Sequence, residues 1–126
     1  MTPTIPILKD EDREWPIPSE WRPTLRTIAN ALKDGNYSLR GLGRVEQLDD
    51  DTAAAIADNI RAYGETLCEL PDASWDTSVC QWQVEYWELL VDLFTIESGR
   101  SDLVAHIKVF EDDQGFTFKV HLVYVP

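Results

Sequence analysis

A chain of 126 residues with 23 acids against 11 lysines and arginines carries a formal charge of −12. Phosphate backbones and anionic membranes are held through Lys and Arg, so this balance excludes nucleic acid and membrane surfaces as partners. The length fits one domain, and 44% hydrophobic residues, with five Trp, four Tyr and four Phe, supply a core and argue against disorder.

Residues 1–18 read as an extended arm rich in proline and acid. Pro3, Pro6, Pro16 and Pro18, with the run "KDEDRE", oppose regular structure, while Trp15 and Ile17 are placed to tuck the arm against the body. A secretory leader would have a basic start and an apolar centre, and "MTPTIPILKDEDREW" has neither, so a cytoplasmic protein is expected. Residues 19–126 form the single folded domain. A first helix is expected from Ser19 as N-cap, with Pro23 in its first turn, a buried stripe of Leu25, Ile28, Ala29 and Leu32, and Gly35 as its stop. Tyr37 to Leu39 could add a short strand before Gly41 and Gly43 loosen the chain. A second helix follows Asp49 to Asp51, which cap it and meet the positive end of its dipole. Ala53, Ile56, Ala57, Ile60 and Tyr63 share its inner face, and Gly64 ends it.

From Trp75 the period changes to two. Strands are expected in "TSVCQWQV", "YWELLVDLFT", "DLVAHIKVFE" and "FTFKVHLVYV", the last two joined as a hairpin through "DDQG". The fold class is therefore α+β: two N-terminal helices packed on one face of an antiparallel β-meander of about four strands. The core sets are 87/89/91/93, 103/105/107/109 and 116/118/120/122/124, with Leu122 and Tyr124 among them. The outer face then presents Leu90, Phe94, Val104, Phe110, Val123 and Val125, which is apolar enough to be covered by the arm or to contact a partner or second copy. The meander's exposed edges offer a further route to pairing.

Keeping the core in phase also sets register. Closing "EDDQGF" as a four-residue loop puts His106 opposite His121, and pairing 96 with 102 across "ESGRS" puts Asp92 opposite His106. Two histidines and a carboxylate suit a divalent metal or proton transfer, whereas the plain alternative is a solvated sheet face. No metal, cofactor or catalytic residue is assigned. Ser101, Asp102 and His106 lack a nucleophile elbow, and no phosphate-binding glycine motif occurs. Cys68 and Cys80 stand among apolar neighbours and read as buried thiols. Trp75, Trp82 and Trp87 could line a small-ligand pocket, although aromatics at this density more often build core. In "ESGRSD", Glu97, Arg100 and Asp102 are expected to make local ion pairs or bonds to backbone N–H groups. With Phe94 and Phe110 they are the candidate interaction residues.

The blocks "WRPTL", "ALKDGNY", "YGETLCELPDASW", "SVCQW", "YWELLVDLFTIESGRSDLV" and "VHLVYVP" together resemble a family of small bacterial proteins catalogued only as a domain of unknown function. The resemblance covers nearly the whole chain after about residue 18 and implies a single domain without assigned catalytic residues. The expected function is a non-catalytic protein-binding module, in one concrete form an immunity or antitoxin-like protein that neutralises a basic partner. The alternatives are a small enzyme or metal-binding protein using Asp92, His106 and His121, and a binder of small ligands at the tryptophans.

Overall fold

The computed structural model describes residues 4–126, so Pro3 of the expected arm lies outside the described residues. Five strands form one antiparallel sheet in sequence order: β1 (Trp15–Pro16), β2 (Val79–Trp82), β3 (Trp87–Thr95), β4 (Gly99–Asp112) and β5 (Gly115–Tyr124). Two helices, α1 (Arg22–Lys33) and α2 (Asp50–Tyr63), complete the α+β architecture. The strand beyond the expected four comes from the arm, where Trp15 pairs with Cys80 and Pro16 with Val79. An edge position tolerates the missing N–H of Pro16.

Burial alternates without a break along β3, and the buried members Trp87, Leu89, Val91 and Leu93 join the apolar residues of both helices in one core. At its centre Trp21 meets Trp87 and Phe116 edge-on, each with ring centroids 5.2 Å away. The arm lies on this helix side of the sheet, since the Trp87 indole Nε1 donates to the Leu8 carbonyl at 2.9 Å and Ile7 packs on the core. It also reaches the first residue of the outer charged row, since Gln81 Nε2 donates to Glu11 O at 3.3 Å.

Helix starts and stops follow side-chain chemistry. The chain enters α1 through a 3₁₀ turn, Ser19–Trp21, and the Ser19 hydroxyl accepts the Ile5 N–H at 2.8 Å rather than capping the helix. Pro23 sits in the first turn, as expected. At the other end the Asn36 N–H reaches the Ala31 carbonyl and the Gly35 N–H the Leu32 carbonyl, with Gly35 at φ +85°, which is a Schellman stop. Helix α2 has its Asp49 cap, which accepts the Thr52 N–H at 2.7 Å. The short strand expected at Tyr37–Leu39 is a turn instead, held by both amide atoms of Asn36 on the backbone of Arg40. The strand-like pairing comes later, where the Glu46 N–H donates to Phe118 O and the Phe118 N–H to Arg44 O.

Irregular segments satisfy part of the sheet's margins, so the edges are less exposed than expected. Of β3, only residues 87–90 pair with β2. Beyond it, Ser74 Oγ donates to Asp92 O at 2.8 Å and the Asp92 N–H donates to Ser78 Oγ at 2.9 Å. Further along, the Cys68 N–H reaches Phe94 O and the Ile96 N–H reaches Thr66 O. On the β5 margin, residues 44–46, Arg44 Nε on Phe116 O and Asn59 Nδ2 on Val123 O play the same part.

The β2–β3 hairpin turns through Val84, which takes φ +73° and is 62% exposed. A β-branched side chain is strained there, and glycine is not. Val84→Gly is therefore expected to stabilise the fold by up to about 1 kcal/mol, read as a higher urea midpoint. Ser74→Ala strips the part-buried Asp92 carbonyl of its donor and should cost about 1 kcal/mol, with the slope of the urea transition unchanged.

Candidate functional site

Registers decide which side chains meet on the outer face. Across β2 to β5 one row runs Gln81, Glu88, Lys108, Lys119, and the next runs Val79, Leu90, His106, Leu122. A third holds Asp92, Val104 and Tyr124, and Phe94 stands opposite Arg100. Beside the charged row, Phe110 stacks on Tyr86 at 5.6 Å, and the Lys108 ammonium lies 4.6 Å from the Tyr86 ring. The face therefore alternates apolar and charged bands. Its acids Glu88 and Asp92 stand with Arg100, Lys108 and Lys119, so the acid excess sits elsewhere on the molecule.

The histidine pair forms, but not as a square cross-strand pair. The hairpin keeps the expected phase from Glu111↔Phe116 to Ile107↔Val120 and closes more tightly than expected, at Asp112↔Gly115. A bulge then makes His121 an extra residue, and His106 pairs with Leu122. The rings still touch, with centroids 5.5 Å apart. Past the bulge the strand reverses its faces. Val123 is fully buried with the core, while Leu122 and Tyr124 turn outward, opposite to the sequence expectation.

Asp92 does not join the histidines. It stands opposite Val104, while His106 faces Leu90, and its carboxylate accepts a hydrogen bond from Thr77 Oγ1. Glu88 is the acid nearest His106, 3.6 Å from its Nε2. Among the described residues no three His, Cys, Asp or Glu side chains are arranged to hold a metal ion. Burial is the main reason that His121 titrates below the usual 6.5, helped by Lys108, His106 and Lys119 and opposed by Glu88.

The "ESGRSD" insert is a turn, shorter than expected. Thr95 pairs with Gly99 and Phe94 with Arg100, leaving a three-residue loop with Gly99 at φ +71°. Strand β4 then carries extra residues opposite Leu93. Ser101 clamps them by donating to Leu93 O at 2.7 Å and accepting the Leu103 N–H, and the Asp102 N–H donates to Tyr63 Oη. Ser101 is thus buried and structural, not a nucleophile for His106. Glu97 reaches outside its own turn and accepts both the N–H and the hydroxyl of Thr66, which holds its carboxyl below the usual range. Glu65 accepts the hydroxyls of Thr95 and Ser98 in the same way. Arg100 makes no ion pair among the described residues.

The tryptophans divide between two places. Trp82 and Trp87 stack on each other, ring centroids 4.5 Å apart, beneath the Lys9 ammonium. Trp75 lines a separate open groove of about 920 Å³ with Arg22, Arg26, Asp72 and Asp76, which sequence reasoning missed because α1 and residues 72–76 meet only in the fold. Burial pushes the Cys80 thiol up to about 12, and neither Cys68 nor Cys80 is in a disulfide.

A family model for a domain of unknown function, DUF7668, matches residues 29–126. The chain belongs to this family. The DUF7668 match takes in β2 to β5, α2 and Trp75, and begins after Arg22 and Arg26. No curated protein and no solved structure matches the chain.

Because folded His121 binds its proton less readily than the unfolded chain does, stability should fall as pH drops through and below 6.5. His121→Gln should flatten this decline in urea titrations. Asp49 and Asp112 act in a lower window, because their carboxyls are held below the usual 3.8 and lose their stabilising effect only in stronger acid. At the turn, Glu97→Ala is expected to lower the unfolding free energy measured in urea, whereas Arg100→Ala should leave it within the usual surface range of about ±0.5 kcal/mol.

Proposed function

We propose that the domain is a non-catalytic protein-binding module and that the outer sheet face is its contact surface. One observation carries this reading: the band Val79, Leu90, His106, Leu122, widened by Tyr124, runs across four strands on the side of the sheet opposite the helices, each of its residues part-exposed. A half-apolar band of this kind, rimmed by charge, has the composition of an interface core and rim. The partly covered margins favour docking on the face over strand addition at an edge.

The acid excess around this neutral face would steer a basic partner toward it, and an immunity or antitoxin-like role is the concrete form. Such a protein would work in the cytoplasm, where Cys68 and Cys80 stay reduced.

The test compares the wild-type chain with Leu90→Asp, a change at a half-exposed position of the band. Immobilised wild-type protein should retain a basic protein from its native host, release it as salt is raised, and lose it in the variant. Equal retention by both chains overturns the assignment of the face. Light scattering across protein concentration separates the remaining occupant, since a mass that doubles in the wild type and not in the variant assigns the face to a second copy.

A further inference from the structure

We propose that the groove between the first turns of α1 and residues 72–76 binds a small organic oxyanion, a carboxylate or phosphate ester with an apolar body, through the guanidinium of Arg26. Arg22 and Arg26 stand one helical turn apart on α1, their guanidinium carbons 5.3 and 5.8 Å from the Trp75 ring centroid. Two like charges at this spacing repel each other, and Asp72 and Asp76, which line the same groove, offset that repulsion. Arg22 is committed, since its Nε and Nη2 both donate to Ile17 O at 3.1 and 2.9 Å. Arg26 is not. Its Nη2 meets Asp72, while its Nε is enclosed and has no hydrogen-bond partner.

A guanidinium recognises an oxyanion with two parallel N–H groups, and Arg26 uses only one edge of that fork. Asp72, whose side chain is 93% exposed, holds the position that an entering anion would take. An exposed pair of this kind contributes little to stability, so exchange for a better-fitting oxyanion costs little. Ile5, Pro16 and Pro23 line the same groove and offer contact to an apolar body. This site is independent of the sheet face, and its failure would leave the protein-binding proposal untouched.

Isothermal titration with benzoate, phenyl phosphate and inorganic phosphate tests the site. Saturable binding of benzoate or phenyl phosphate in the millimolar range or tighter is expected, the tighter of the two naming the head group and inorganic phosphate binding more weakly. Arg26→Gln should weaken binding about tenfold, and Asp72→Asn should strengthen it by removing the competing carboxylate. No saturable binding by either the wild type or Asp72→Asn overturns the proposal. So does an Arg26→Gln chain that folds normally by circular dichroism and binds as well as the wild type, or an Asp72→Asn chain that binds less tightly.

Discussion

Strand β3 is nine residues long and β2 only four, so about half of β3 lacks a strand on one side. Each backbone N–H and C=O there needs a partner, because a buried unpaired group costs as much as a lost hydrogen bond. The chain answers with irregular segments. Ser74 and Ser78 supply hydroxyls to Asp92, and residues 66–68 supply backbone groups to Phe94 and Ile96. At the far margin Arg44, Glu46 and Asn59 do the same for β5. Much of the sequence between the elements is thereby committed to the sheet's margins, and the broad face is left as the surface where something else can rest.

Charge is distributed to match. The acids on the face are balanced by Arg100, Lys108 and Lys119, and Glu88 sits directly across from Lys108. A large net charge repels the molecule's own copies and attracts oppositely charged partners, while a neutral contact patch avoids stranding unpaired charge when it is buried. The same separation explains why net charge alone did not locate the face: the excess lies away from it.

What was legible in the sequence, and what was not, divides along physical lines. Apolar alternation gave strands β2 to β5, and cap chemistry gave both helix ends at Gly35 and Gly64. Phase is a weaker constraint than pairing. Matching core faces across β3 and β4 allows any pairing that shifts by two, so the expected Asp92↔His106 and the actual Asp92↔Val104 satisfy it equally. The choice between them was made by Gly99 and by the clamp of Ser101 on Leu93, local geometry with no periodic signature. The two-residue β1 was illegible for the opposite reason: its partner lies more than 60 residues away, and two residues cannot show a period. The Arg22, Arg26 and Trp75 groove depends on three-dimensional meeting in the same way, whereas the neighbouring histidines followed from hairpin register alone.

The bulge at His121 has a consequence for how the end of the chain tolerates change. It acts as a frameshift in side-chain direction: before it, even-numbered residues of β5 face the core, and after it the odd-numbered Val123 does. Removing His121 would join Val120 directly to Leu122 and restore a regular ladder, with Val123 still inward and Leu122 and Tyr124 still outward, because the deletion takes out the extra residue itself. Substitutions within residues 122–125 are therefore graded by parity counted from the bulge. A one-residue deletion at that point should therefore be tolerated better than a one-residue deletion elsewhere in the paired strand, which would turn every following side chain to the other face.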